Sequence, residues 1–226
     1  MSARERGTRY TEHQDELVHT FGVSDYDVYW KALPADLAKR TILKRVFTEV
    51  LRLAAPPARI LELGPGPGRI FSGLSEAGYE MHGWDASSVS LEQLEASPGR
   101  LHQVDFNAGL PEGDEKFEVI IGAMVLHHIV DPEAFLLALK ARLEDGGHLV
   151  LTVPNITVIR NRLRLLIGQF PKFSPSHRNF MTPWEVGELL RRCGYHPRGI
   201  LAPHRRPLQQ LRPTLFSKEI LIIAQA

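Results

Sequence analysis

The sequence predicts a doubly wound, mostly parallel α/β sheet of seven strands behind an N-terminal helical lid. Three observations carry this. Strand-like and helix-like segments alternate five times between residues 59 and 153, the pattern of βαβ units. The first strand runs into a glycine-rich turn and then a helix. Two late strand-like segments have no predicted helix between them and should pair antiparallel.

Each element has a local reason. Ile42, Val46, Val50 and Leu53 recur at helical spacing, and Pro56-Pro57 ends that helix because proline cannot continue it. Arg59 to Leu63 reads as the first strand, and Arg69 to Ala77 as a helix with apolar Ile70, Phe71, Leu74 and Ala77. Gly78 is placed to cap it. Tyr79 to Trp84 reads as the second strand, Leu91 and Leu94 mark a helix, and Pro98-Gly99 turns the chain into a third strand, Leu101 to Val104. The apolar run around Phe117 to Ala123 is typical of a strand buried on both faces. Asp131 caps a helix opened by Pro132, with Phe135, Leu136, Leu139 and Leu143 facing inward. Gly146-Gly147 then turns into a strand from His148 to Val153. Thr182-Pro183-Trp184-Glu185 is a capping box for a helix that stops at Gly194. The late strands are expected near Gly199 to Pro203 and Leu215 to Ala224. Residues 155–181 interrupt the alternation as an inserted lid, and residues 1–55 form a cap segment before a domain spanning 56–226.

Composition narrows the function classes. The chain has 226 residues, 43% of them hydrophobic and 23% charged, which suits one globular domain and excludes disorder. The apolar run Val119 to Leu126 is far too short to span a bilayer. The N-terminus is charged and leads into no apolar stretch, so a cytoplasmic protein is expected. A lone Cys193 excludes an internal disulfide and a thiolate zinc site, and core packing is its expected role. Residues 155–226 hold 12 Lys/Arg against 3 Asp/Glu, although the whole chain is nearly neutral. That basic third either meets something anionic or is a solvated face.

The segment Glu62-Leu63-Gly64-Pro65-Gly66-Pro67-Gly68 carries the chemistry. Glycines let backbone approach a ligand closely, at the strand edge where doubly wound sheets bind ligands. A plain tight turn is the alternative. Arg69 breaks the dinucleotide fingerprint, and the loop has no P-loop lysine. Asp85 ends the second strand where it could hold two ribose hydroxyls. Asp105 ends the third, with Phe106 beside it to suit an exocyclic amine and a purine face. Either aspartate alone could be a cap or turn residue.

The glycine loop, these acids and the stretch Val125-Leu126-His127-His128-Ile129-Val130-Asp131-Pro132 together resemble the class I S-adenosylmethionine-dependent methyltransferases, over about residues 40–226. Pro65 and Pro67 depart from the commoner Gly-Cys-Gly form at positions that need no side chain. Val153-Pro154-Asn155 and the Arg160–Leu166 stretch resemble the MetW-type branch of methionine biosynthesis, with some likeness to ubiquinone-type O-methyltransferases. The resemblance implies a Rossmann-like sheet, S-adenosylmethionine as cofactor and S-adenosylhomocysteine as product. By that likeness Gly64, Pro65 and Gly66 would pass under the methionine moiety, and Glu62 would meet its amino group. Asp85 would hold the ribose, and Ala86, Asp105 and Phe106 would surround the adenine. Ala123 and Met124 would line the sulfonium end.

For a hydroxyl acceptor a general base helps, and histidine is suited to that role. His128, then His127, are the candidate catalytic residues; the alternative is that they pack without titrating. Tyr29, Arg160, His177 and Arg178 are candidate substrate-binding residues, the arginines suiting an anionic group. Tyr26, Tyr29 and Trp30 either fold over the cofactor or pack on the sheet. No carboxylates or histidines show metal-ligand spacing, so no metal site is expected.

Gly122-Ala123-Met124-Val125 stands where an amino-group methyltransferase of the Asn/Asp-Pro-Pro-Tyr type would differ. The expected reaction is therefore methyl transfer to a small molecule, most simply at oxygen. Two alternatives stay open. One is a MetW-like subunit that partners a homoserine acyltransferase. The other is an RNA methyltransferase, kept in view by Phe170, Phe173 and Phe180 interleaved with Lys172 and Arg178.

Overall fold

A computed structural model describes residues 41–171, 174, 176–202 and 206–226. The predicted N-terminal lid, with Tyr26, Tyr29 and Trp30, lies outside the described residues, as do Lys172 and Phe173.

Seven strands form one sheet: β1 (Arg59–Leu63), β2 (Glu80–Asp85), β3 (Arg100–Gln103), β4 (Phe117–Ala123), β5 (Leu143–Pro154), β6 (His196–Leu201) and β7 (Glu219–Gln225). Their order across the sheet is β3-β2-β1-β4-β5-β7-β6. The first five are parallel, and β7 lies antiparallel between β5 and β6. Because β2 and β3 step outward on one side of β1 while β4 lies on the other, the chain reverses direction at the β1/β4 boundary. Helices leave that boundary on opposite sides and open a crevice at the carboxyl ends of the strands.

Strand alternation splits the core between the two faces of the sheet. Ile60, Val119 and Ile121 pack with Ile42, Val46 and Val50 of helix α1 (Thr41–Leu53) and Phe71 and Leu74 of α2 (Arg69–Glu76). Leu61, Leu63, Ile120 and Leu149 pack with α4 (Pro132–Lys140) and α6 (Pro183–Arg192) on the other face. Helix α3 (Ser88–Glu92) follows β2, and α5 (Ile159–Leu166) occupies the insertion after β5. The expected caps are present. Asp131 accepts from the Ala134 N–H at 3.0 Å, and Thr182 and Glu185 form a reciprocal capping box. Cys193 is buried at the end of α6.

Three predicted boundaries are corrected. Leu143 opens β5 instead of closing the preceding helix, because it pairs with Phe117 and Gly146-Gly147 bulge outward within the strand. The late strands sit at His196–Leu201 and Glu219–Gln225, displaced from the expected spans. Two short helices, α7 (Pro207–Leu211) and α8 (Pro213–Phe216), stand between them, where no helix was expected. Each begins with a proline at its first position, which favours one helical turn, and neither buries a residue. A connection that does not cross the sheet still leaves β6 and β7 antiparallel. Asn155 fixes the root of the insertion: its Nδ2 donates to the Thr214 and Ser217 carbonyls at 2.7 Å each, and its Oδ1 accepts from Thr157.

Candidate active site

The loop from β1 to α2 is shaped by a left-handed backbone that glycine adopts without steric cost. Gly64, Gly66 and Gly68 have φ of +61°, +54° and +74°. The intervening Pro65 and Pro67 fix their own φ, so the turn has little freedom left to lose. A Cβ on Gly64 would lie 3.0 Å from Val125 Cγ2, and one on Gly68 only 1.8 Å from Leu94 Cδ2. The Gly64 N–H donates to the Trp84 carbonyl at 2.7 Å, which ties the loop to the end of β2.

Two carboxylates lie beneath this loop. Glu62 is 2% exposed and its Oε2 has no hydrogen-bond partner among the described residues. Burial pushes its pKa well above the ordinary 4.5, and the nearby Asp85 charge adds to this, against the Phe71 N–H, which favours the carboxylate. Asp85 is also buried and shifted upward by burial, but it is well satisfied. Its Oδ1 accepts from the Ser87 N–H at 2.9 Å, and its Oδ2 from the Ser90 hydroxyl at 2.8 Å and the Gly66 N–H at 3.3 Å. Asp85 therefore anchors the glycine loop to α3. Ala86 is buried beside it, its carbonyl accepting from Gln103 at 3.0 Å.

A raised carboxyl pKa makes stability depend on pH with a definite sign. Unfolded Glu62 loses its proton near pH 4.5, whereas the native residue keeps it to higher pH. Across that window the native state binds more protons, so stability falls as pH rises. Glu62→Gln keeps the shape and removes the titration. The variant is expected to melt above the parent at pH 8 and to lose that margin near pH 4. Thermal melts at the two pH values check this, and a margin that does not shrink toward acid refutes it.

Further along the sheet edge, Asp105 and Phe106 are half-buried after β3. Asp105 Oδ1 accepts from the Asn107 N–H at 3.0 Å, and the Phe106 ring lies 5.6 Å from that of Phe135. Asn107 bridges to the next loop, its Oδ1 accepting from the Val130 N–H at 2.8 Å. Ala123 ends β4, and Met124 follows with φ +63°, the one non-glycine residue with positive φ among those described. Such backbone is held only when its surroundings over-determine it. Here the Met124 N–H is shared between the Thr152 carbonyl and hydroxyl, each at 3.0 Å. A lone threonine inside the apolar run Leu149–Val153 is the sequence signal that could have pointed to this restraint.

Past Met124 the chain enters a short 3-10 turn, Leu126–His128. The insertion folds back onto it: the Arg178 and Asn179 N–H groups donate to the His127 carbonyl at 2.8 and 3.1 Å, and the Asn179 side chain donates to the Ile129 carbonyl. His177 is thereby brought against both predicted histidines. Ring centroids lie 4.2 Å apart for His127 and His128, 4.3 Å for His127 and His177, and 5.3 Å for His128 and His177. Linear spacing gives no sign of this, since His177 is roughly fifty residues downstream. Burial pushes His177 down to about 4, with His128 adding to the shift. Burial lowers His128 too, against the Ser176 carbonyl and with help from Arg178. Both rings are neutral at pH 7. Val153, Pro154, Phe180 and Met181 line an adjoining cleft with His127 and His177. Arg178 is exposed, as is Arg160 on α5, while Tyr29 lies outside the described residues.

Comparison with known proteins bears on this arrangement. A family model described as a methyltransferase domain matches residues 29–198. A ubiquinone biosynthesis O-methyltransferase of Cereibacter sphaeroides is 26% identical over 150 residues, covering 62% of this chain and 60% of the relative. The chain thus spans less than two thirds of that curated relative's length. Among solved structures, the CcbJ methyltransferase from Streptomyces caelestis superposes with a TM-score of 0.68 at 18% identity, covering 88% of this chain and 95% of that one. An S-adenosylmethionine-dependent methyltransferase from Mesorhizobium loti gives 0.63 at 16% identity, covering 84% and 100%. At these identities the structural likeness establishes the fold alone.

Proposed function

We propose that this chain, which belongs to the family of S-adenosylmethionine-dependent methyltransferase domains, methylates a small-molecule hydroxyl. The observation that carries the reading is the Glu62 carboxyl, buried under the glycine loop with one oxygen unpartnered among the described residues. A buried polar atom left without a partner is costly, and an ammonium group arriving from the loop side would satisfy it. Its neighbours fit the same cofactor: a Cβ on Gly64 or Gly68 would run into Val125 or Leu94, so these positions of the turn stay bare backbone, and Asp85 ties the loop in place through the Gly66 N–H.

When bound, S-adenosylmethionine supplies an electrophilic methyl group on a sulfonium. The chain's own residues then have positioning to do. Glu62 would meet the amino group, Asp85 and the α3 N-terminus the ribose, and Asp105, Phe106 and Ala86 the adenine. Ala123 and Met124 would close the reactive end. Alignment of two reactants can contribute on the order of 7–11 kcal/mol, so displacement needs no covalent help from the protein. His128 and His127, on the 3-10 turn that follows β4, would orient an acceptor hydroxyl or take its proton. Likeness to a ubiquinone-pathway enzyme favours oxygen as the acceptor atom. Arg178, exposed beside the histidines, would suit an anionic substituent.

Calorimetric titration with S-adenosylmethionine and S-adenosylhomocysteine tests the reading, with ATP and NAD as controls. Micromolar binding of the two sulfur nucleosides is expected. A dissociation constant weaker than about 1 mM, roughly −4 kcal/mol, overturns it. A protein-partner role has one observation behind it: α5 leaves Leu163, Leu165 and Leu166 exposed, and Ile167 beyond its end is exposed too. Stable complex formation with a homoserine acyltransferase, without methyl transfer to any phenolic or carboxylic acceptor, would move the assignment there.

A further inference from the structure

We propose that His127, His128 and His177 form a binding site for one first-row transition-metal dication, of which Zn²⁺ is the simplest candidate, at the mouth of the acceptor crevice. The three side chains each offer one nitrogen, and these atoms all lie within 4.8 Å of one another. Around zinc, at about 2.0–2.1 Å per Zn–N bond, tetrahedral ligand nitrogens sit about 3.3 Å apart. The rings therefore need to draw together by no more than about 1.5 Å. An all-imidazole donor set favours zinc, copper, nickel or iron over magnesium and calcium, which prefer oxygen.

The surroundings restrain these rings as ligands are restrained. His128 Nδ1 lies 3.0 Å from the carbonyl of buried Ser176, which fixes the proton on Nδ1 and makes Nε2 the nitrogen that would face an ion. Two backbone hydrogen bonds to the His127 carbonyl and one side-chain bond to the Ile129 carbonyl clamp the insertion to the 3-10 turn. Both ligand-bearing segments are thus fixed relative to each other before any ion arrives. Three protein ligands leave a position open, as in catalytic zinc sites. Beside it lies a cleft walled by Val153, Pro154, Phe180 and Met181. Among the described residues no carboxylate belongs to the group, and Arg178 adds positive charge near His128. The open position therefore suits an anionic or ionisable oxygen.

Metal binding stands apart from the methyltransferase reading; its chemical role rests on that reading. There, an acceptor hydroxyl held on the ion would give up its proton to solvent more readily. Its oxygen would then form the O–CH₃ bond as the S–CH₃ bond breaks, leaving S-adenosylhomocysteine.

The test uses untagged full-length protein stripped with a chelator and dialysed. Co²⁺ and then Zn²⁺ are added, with visible absorption and calorimetry as readouts. One equivalent of metal is expected, with a Co²⁺ d–d band that Zn²⁺ abolishes. His177→Gln should weaken Zn²⁺ binding at least 100-fold while the S-adenosylmethionine dissociation constant stays within about threefold, because His177 is outside the cofactor cradle. His177→Asn and a thermal melt of each variant separate lost ligation from lost folding. No stoichiometric binding at 100 µM metal, on the order of a −5.5 kcal/mol threshold, overturns the site. Equal Zn²⁺ affinity in a folded His177→Gln variant overturns it too. Cofactor binding without metal binding sinks only this inference, and metal binding without cofactor binding sinks only the function proposed above.

Discussion

Asp85→Ala is expected to weaken S-adenosylmethionine binding by at least about 100-fold, near 2.7 kcal/mol, while Asp114→Ala leaves it within about twofold. Both changes remove one carboxylate, but the two residues do different work. Asp114 is exposed. Asp85 is buried and accepts from the Gly66 N–H, the Ser87 N–H and the Ser90 hydroxyl, so it holds the floor of the cradle and the N-terminus of α3 at once. Truncation leaves buried donors without an acceptor, at about 1–3 kcal/mol each where water cannot reach. Affinity falls because the loop loses its anchor and because the sugar loses an acceptor. Asp85→Asn separates the two contributions, since an amide oxygen still accepts from the loop but carries no charge. Calorimetry with parallel melting curves decides the matter. Equal losses at 85 and 114 would show that the cofactor does not lie over this loop.

Phe71→Ala is expected to cost about 3–5 kcal/mol of folding stability, the usual range for emptying an aromatic site in a core. In a chain of this size that lowers the melting temperature by roughly 6–20 °C. The ring is fully buried, and two glycines make room for it. A Cβ on Gly83 would lie 3.0 Å from Phe71 Cε2, and one on Gly99 2.5 Å from Cζ and 2.7 Å from the Met81 carbonyl oxygen. A slot walled by strand backbone cannot collapse onto a methyl group, so the cavity term should be near its upper range. The Phe71 N–H also favours the Glu62 carboxylate, so the packing of α2 bears on the candidate site. Urea unfolding measures the loss. A change below about 1 kcal/mol would mean that α2 does not pack on β2 as described.

The elements that could be read from the sequence are those whose causes are local. Parallel strand β4 is apolar because both its faces are covered, and Asp131, Thr182 and Glu185 announce their helices by caps a few residues long. The strand ends bearing Glu62, Asp85 and Ala123, and the turn after β3 bearing Asp105, follow from the same alternation. Boundaries failed where pairing across the sheet overrode a local signal. Gly146-Gly147 reads as a turn, but Leu143 gains a partner in Phe117 and the glycines become a bulge. No helix was expected between the late strands, although Pro207 and Pro213 each open a short one.

The sequence alone thus determined the strand–helix alternation through β5, the glycine turn and the acids near the strand ends, because periodicity, capping and backbone freedom act over only a few residues. Tertiary structure alone decided that the Met124 backbone is held strained by Thr152, that Asp85 is spent partly on its own loop, and that His177 meets His127 and His128. The first two depend on neighbouring strands meeting across the sheet and the last on how an insertion rooted at Asn155 returns to the sheet edge, and no short-range rule encodes the path of a chain through space.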